Sequence, residues 1–303
     1  MSIHVAVFGY TVYTKAGLEA LNKMGWHITL LCHTKNKGKC LALNTTTQVN
    51  DTFYYDDIQS DELATYVKSL NIDYIFVFGL TEKIPDTLIS VPKIAAINTH
   101  PSYLPEIKGP NPWFWAIFHS YNETGLTLHY LNADWDCGDL IFQKKLSIHP
   151  NDTRGTLSER LNQLLKEIIL ENQDLLENGQ LPRYKQIGEG TYFSIPKDAH
   201  VCLNFKRTAK ELSANIRACN PNIPCMLNIK GLVVNIREAH VTDIQSDQPY
   251  NLIVTDDKRL LIAASDFFLD IKILERQKEG VFSSARFIEL SSLQSGDTCQ
   301  SIL

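Results

Sequence analysis

A disulfide framework is not expected: the seven cysteines (Cys32, Cys40, Cys137, Cys202, Cys219, Cys225 and Cys299) are odd in number, scattered, and include no CxxC pair. The same spacing gives no zinc-ligand pattern, so no metal is expected. Long apolar runs are also missing. The longest, ITLLC and YIFVFGL, are strand-sized and far short of the roughly 20 residues a membrane helix needs. The opening MSIHVAVFGY enters an apolar strand without a basic region or a small-residue cleavage site, so a cytoplasmic protein with no membrane partner is expected. Positive charge is not in excess either. The balance of 29 Lys and Arg against 34 Asp and Glu leaves −5, which argues against nucleic acid as the main partner but leaves a local basic surface open. The densest basic cluster, KNKGK at Lys35–Lys39, reads from its Gly and Asn content as a solvated loop. Finally, the first turn, FGYTVYTKAG, carries Gly9 and Gly17 but not the tight GxGxxG spacing, so NAD is not expected.

What is present is an ordinary globular composition, 44% hydrophobic and 21% charged over 303 residues, long enough for two domains. HVAVF, HITLLC, YIFVFG and IAAIN are continuous apolar runs, and helical patterns separate them: KAGLEALNKMG, closed by glycine, and a segment starting near Ser60 with SDEL as its cap. Strands alternating with helices predict an α/β domain with a mostly parallel, helix-covered sheet. GLTLHYL and DLIFQKKLSI read as a hairpin across NADWDCG, and one long helix is expected to follow Asp152 and end at Gly179. From about Leu181 the pattern loses its period and reads as a linker. One helix and a run of short strands follow, the signature of a small β-barrel or sandwich. The expected boundaries are 1–180 for the first domain, 181–204 for the linker and 205–303 for the mainly-β, OB-like domain.

The stretch AINTHPSYLP ends a buried strand with an amide and an imidazole. Asn98 and His100 are two apart, so they face one side, while Pro101 and Pro105 forbid a continuing ladder. Ligands on parallel sheets gather at the carboxyl ends of strands, and these two side chains sit at one. The hairpin loop supplies Asp134, Asp136 and Asp139. Calcium would want more oxygen ligands and a closing Glu. A carboxylate beside an imidazole fixes its tautomer and raises its pKa, and a carboxamide offers N–H donors to a developing oxyanion. No Ser or Cys nucleophile belongs to the set, which suits direct attack by a substrate nucleophile on an acyl carbon.

Asn98-Thr-His100-Pro-Ser-Tyr-Leu-Pro, then Gly109 and NP, then Gly125-x-Thr-x(8)-Asp136-x-Gly138 resemble the signature of the folate-dependent formyltransferases. That group includes methionyl-tRNA formyltransferase and the sugar-nucleotide N-formyltransferases. The resemblance is strongest from Tyr74 to Ile148 and reaches the C-terminal domain through ANIRACNPNIPCML and FIELSSLQSGD. It implies a Rossmann-like catalytic domain, 10-formyltetrahydrofolate as donor, and Asn98, His100 and Asp136, not Asp134, as the catalytic trio. His100 would act as base, Asn98 would hold the oxyanion, and Asp136 would orient His100 at a separation of roughly 3 to 5 Å. The pterin is expected against Gly79, Leu80, Lys83 and Ile84 on one side and Asn132 and Ala133 on the other, although Leu80 and Ile84 fit core packing equally. Ser102, Lys108, Asn111 and Trp113 are candidates for the acceptor, with a turn role open for Ser102 and helix packing open for Trp113.

The acceptor is less legible. Methionyl-tRNA enzymes usually carry a long basic insertion after the second strand, and an Arg is common where Glu106 stands. This chain has the shorter CHTKNKGKC. HTKN and ETGLTLHYL look closer to the formyltransferase half of the enzyme acting on UDP-4-amino-4-deoxyarabinose. The expectation is therefore formyl transfer to the amine of a nucleotide-linked amino sugar, with methionyl-tRNA as the alternative. A formyltetrahydrofolate deformylase or a silent folate- or nucleotide-binding module ranks below both, and a homodimer is left open.

Overall fold

Continuous apolar runs need both faces covered, and in the computed structural model they become the inner strands of one sheet. The model describes residues 3–302; Met1, Ser2 and Leu303, which the terminal readings include, lie outside the described residues. The chain runs β1 (His4–Phe8), α1 (Val12–Lys23), β2 (His27–His33), α2 (Lys37–Thr46), β3 (Asp51–Tyr55), α3 (Asp61–Ser69), β4 (Tyr74–Phe78), α4 (Asp86–Ile89) and β5 (Ala95–His100). It continues through α5 (Pro112–Phe118) and a hairpin of β6 (Glu123–Tyr130) and β7 (Leu140–Ser147). The strand order is β3-β2-β1-β4-β5-β6-β7. β1 to β5 pair in parallel, and β6 and β7 antiparallel. Every residue of β4 is buried, and each large side chain so placed contributes about 1.5–3 kcal/mol.

The order reverses between β1 and β4, the point at which ligands of open parallel sheets generally bind. Thr11 caps α1 in a reciprocal pair with Thr14, whose hydroxyl donates to the Phe78 carbonyl at 2.8 Å. A Cβ on Gly9 would lie 2.5 Å from that same oxygen, so glycine is needed there for close approach of backbone. The Ser60 cap is found as read, its hydroxyl accepting from Leu63 N at 3.3 Å.

Three local expectations are corrected. KNKGK is not a loop: Thr34–Asn36 form one 3₁₀ turn and α2 starts at Lys37, because Cys40 and Leu43, one helical turn apart, bury on the sheet. The absence of disulfides is also overturned at one place. Cys32 and Cys40 are bonded, their Cα atoms 6.7 Å apart. The long helix divides into α6 (Arg154–Glu171) and α7 (Gln173–Glu177), and Asn172 between them turns its side-chain amide onto the Ile168 carbonyl.

The contacts define two compact units. The first comprises the chain through Pro112, Glu123–Ser147 and Ser158–Phe193; the second holds Trp113–Asn122, Ile148–Leu157 and the chain from Ser194. Residues 184–193 are tied into the first unit, with Tyr184 bridging Leu140 and Tyr192 bridging Lys108. The second unit is mainly β. After α8 (Asp198–Val201) and α9 (Ala209–Cys219) come β8 (Met226–Ile229), β9 (Leu232–Gln245), β10 (Leu252–Val254), β11 (Leu260–Ala263), β12 (Phe267–Arg276), β13 (Gly280–Ser283), α10 (Ser284–Ser291) and β14 (Cys299–Gln300). Its sheet is antiparallel, in the order β10-β11-β12-β9-β8-β14 with β13 on β12. Thr208 and Glu211 cap α9 reciprocally, a T-x-x-E capping box. No described helix is long and apolar enough to cross a membrane.

Candidate active site

β5 runs two residues beyond the expected Asn98, because antiparallel pairing with β6 carries the ladder on until Pro101. Asn98 stands opposite His129, and His100 opposite Thr127. Asp136 enters from the β6–β7 loop with φ +53°. All three predicted catalytic side chains meet. The Asp136 Oδ1 atom accepts from Asn98 Nδ2 at 3.2 Å and lies 3.5 Å from His100 Nδ1, while Oδ2 accepts from Gly109 N–H at 2.8 Å. His100 and Asp136 are each only 6% exposed, so these contacts act with little solvent screening.

The carbonyl environment assigns the ring protons. His100 Nε2 is 2.8 Å from the Ile107 oxygen, which can only accept, so Nε2 carries hydrogen and Nδ1 is left as the basic nitrogen of the neutral ring. Ile107 presents that oxygen from φ +57°, a conformation a β-branched residue adopts only under constraint. Thr191 supplies the constraint, its hydroxyl oxygen accepting from Ile107 N–H at 2.8 Å. The imidazole is thus oriented by Ile107, and Asp136 faces the nitrogen that gains the proton.

A second buried histidine completes the network. His129 Nδ1 lies 2.9 Å from the Tyr130 carbonyl, so its Nε2 accepts from Asn98 Nδ2 at 3.0 Å. Both N–H groups of the Asn98 amide are therefore engaged, one by His129 and one by Asp136. Gln186 Nε2 donates to the carbonyls of Asp136 and Gly138 at 2.8 and 2.9 Å, pinning the loop from below. Sequence reading missed His129, Gln186 and Thr191. His129 had a signal, since it alternates with Thr127 on a strand opposite Asn98. Gln186 and Thr191 had none, lying in an aperiodic stretch read as linker.

Burial alone would raise the Asp136 pKa, but His100, His129 and the Gly109 N–H outweigh it and hold the carboxyl well below the usual carboxylate range. Burial dominates at His100 and lowers its pKa below 6.5, with Asp136 and the Ile107 carbonyl offsetting part of the shift. A lowered His100 is neutral near pH 7, so the charge of Asp136 is then held by the Gly109 and Asn98 donors. The acidic limb of kcat/KM is accordingly expected with its midpoint below 6.5. Removing the Asp136 charge takes away a group that raises His100, so Asp136→Asn is expected to move the limb lower still. A pH–rate profile of both proteins with a midpoint at or above 6.5, or one moving upward, contradicts this assignment.

The other predicted residues divide. Gly79, at φ +69°, ends β4. Leu80 and Ile84 pack in one apolar cluster with Leu131, which brings the two expected pterin-flanking segments together. Ile84 is itself buried core. Lys83, Asn132 and Ala133 are exposed, with Asn132 Oδ1 accepting from Asp134 N–H at 3.2 Å. Asn132 and Gly138 also line a cleft of about 360 Å³ in which the Arg183 guanidinium stacks 3.7 Å from the Tyr130 ring centre. Ser102 is fully buried and donates to the Glu106 carbonyl at 2.6 Å, the turn role. Lys108 turns its ammonium to the Glu189 carbonyl at 3.2 Å. Asn111, half-buried, has φ +58°. Trp113 is on α5, in the second unit.

An imidazole, a carboxamide and a buried carboxylate at the mouth of a parallel sheet, with no side-chain nucleophile among them, define an α/β enzyme of acyl transfer. The chain belongs to the formyl transferase family, whose model matches residues 1–172, and the model of the formyl transferase C-terminal domain matches residues 196–290. It is 30% identical over 285 residues to a methionyl-tRNA formyltransferase of Lactobacillus delbrueckii subsp. bulgaricus, covering 90% of this chain and 88% of that one. Among solved structures it resembles HypX from Aquifex aeolicus in complex with tetrahydrofolic acid (TM-score 0.70, 16% identity, 97% of this chain) and spans 49% of that protein. It also resembles WlaRD, a sugar 3N-formyl transferase solved with dTDP and 5-N-formyl-THF, at TM-score 0.65 and 20% identity, covering 89% of this chain and 98% of that one.

Proposed function

We propose that the chain transfers a formyl group from 10-formyltetrahydrofolate to a primary amine, and that the amine is that of methionyl-tRNA. The formyl reading is carried by the buried convergence of Asn98, His100 and Asp136. The folate supplies an activated formyl carbon, and the chain's residues do the rest. His100 Nδ1 takes a proton from the attacking amine, directly or through one water, as a base near neutral pH must. The new Nδ1–H then points at Asp136, whose negative charge stabilises the imidazolium. That N–H takes over the Asp136 oxygen from Asn98, whose donor there is the longer of its two, and frees it for the negative charge growing on the formyl oxygen.

Support for the tRNA acceptor is the likeness to a methionyl-tRNA formyltransferase along nearly the whole of both chains. This reverses the preference drawn from the sequence alone for a nucleotide-linked amino sugar, which remains the second reading because of a specific observation. Cations of the second unit stand beside acids: Arg237 with Glu275, Lys258 with Glu289, Arg259 and Lys272 with Asp270, and Lys230 with Asp297. Paired cations make a poor phosphate track, and phosphate contacts supply the salt-sensitive part of nucleic-acid affinity. A nucleotide sugar needs only one or two cations and a face for its base.

A side-by-side assay decides. Methionyl-tRNA is expected to be formylated at least 100-fold more efficiently than UDP- or dTDP-linked amino sugars, with kcat/KM falling as salt rises. Faster turnover of the sugars, or a salt-independent rate on tRNA, overturns the acceptor and leaves the formyl chemistry standing. Turnover of neither, with folate bound, points to a silent binding module.

A further inference from the structure

We propose that Cys32 and Cys40 form a reversible thiol–disulfide site that clamps the segment between them onto Thr81 and Glu82, beside the strand end that carries Gly79. Cys32 lies near the end of β2 and Cys40 in the first turn of α2, eight residues apart in sequence. Two contacts lead from the closed segment across β1 to the end of β4. The Lys35 ammonium pairs with Glu82, which also accepts from the Tyr55 hydroxyl at 3.0 Å. The Lys39 ammonium sits 5.0 Å from the centre of the Tyr10 ring, and the Tyr10 hydroxyl is 3.5 Å from Thr81 Oγ1. Thr81 and Glu82 fall inside the stretch Gly79–Ile84 where the family resemblance expects the pterin, and the consequence for folate rests on that expectation and on the proposed function.

Position also gives the pair a route to reagents. Cys40 lies in the first turn of α2, whose N-terminus no side chain caps, so little holds that turn closed apart from its own backbone. The sulfurs themselves are buried, but Thr34, Lys35, Lys37, Gly38 and Lys39 above them are exposed, so opening a single turn admits a small reagent. Cys202 and Cys225 are also buried, in the second unit, and burial pushes their thiols up. Oxidation needs a disulfide co-reactant such as glutathione disulfide. The Cys40 thiolate attacks one of its sulfurs, forming a mixed disulfide and releasing one glutathione thiolate. The Cys32 thiolate then displaces the second. Two protein thiols are oxidised, one glutathione disulfide is reduced to two thiols, and the thiol protons end on the released glutathione.

The experiment equilibrates the full chain in glutathione buffers of graded poise, followed by alkylation with iodoacetamide and peptide mass mapping. Cys32 and Cys40 are expected to gain and lose two alkyl groups together. Hydrogen exchange on the oxidised and reduced forms is expected to slow at residues 33–39 and 80–83 on oxidation, and 5-formyltetrahydrofolate to bind about 3- to 10-fold tighter to the oxidised form, since less ordering remains to be done on binding. Cys40→Ser should match the reduced protein in every buffer; the wild-type comparison stands without it. Independent alkylation of the two cysteines at every poise overturns the pair, and equal exchange in both forms overturns the clamp. A redox-dependent exchange pattern with no folate bound in either form supports the clamp and refutes the pterin reading of Gly79–Ile84.

Discussion

His100→Asn and Asp136→Asn are each expected to lower kcat/KM for formyl transfer by about 100- to 10,000-fold, the range of a lost general base or oxyanion donor. The reasons differ. His100→Asn removes the Nδ1 lone pair, and the other histidine nitrogen near Asp136, His129 Nε2 at 3.7 Å from the carboxylate, is occupied by Asn98. Asp136→Asn removes the charge that stabilises the imidazolium. It also sets an amide N–H against Asn98 Nδ2 or Gly109 N–H, both of which donate to the carboxylate. Because the two residues act on one proton, the double variant should cost little more than either single change. Asp134→Asn is the control. Asp134 is exposed two positions from Asp136, and its replacement should leave the rate within a few-fold. Single-turnover rates alongside thermal unfolding test this: either variant remaining folded with near wild-type turnover would place the base elsewhere.

Gly138→Ala is expected to cost about 100-fold in kcat/KM and about 1–3 kcal/mol of stability. A Cβ there would sit 1.7 Å from the Tyr130 carbonyl oxygen, which is backbone and already accepts from His129 Nδ1. The loop must move, and it carries Asp136 two residues earlier, held by Gln186 at both the Asp136 and Gly138 carbonyls. A displacement near 1 Å at a positioned catalytic group is enough for the predicted loss. Gly38→Ala, where a Cβ meets nothing within 4 Å, should be silent in both measurements. If Gly138→Ala keeps full activity, the loop does not hold the carboxylate in the way described.

Much of the architecture follows from local pattern. VAVF and YIFVF are apolar at every position and ITLLC at all but Thr29, and runs this short bounded by turns fit strands covered on both faces. IAAIN also fell on its strand, although pairing with β6 carried that strand on to His100. The meeting of Asn98, His100 and Asp136 was legible too, because residue types and spacing restrict which groups can face one strand end. Other features had no local signal. The basic run Lys35–Lys39 reads as a loop until the burial of Cys40 and Leu43 on the sheet makes its second half a helix. The Cys32–Cys40 bond depends on where α2 docks. Gln186 and Thr191 come from an aperiodic stretch whose pairing with Leu140 and Lys108 is long-range, and those two residues set the Asp136 loop and the strained Ile107 carbonyl. The sequence by itself determined the fold class, the family and which three residue types meet at the strand end, since periodicity and residue type act over a few neighbours. Only the tertiary structure decided which nitrogen of His100 is basic and which donors hold Asp136, because those depend on carbonyls and amides brought together from distant parts of the chain.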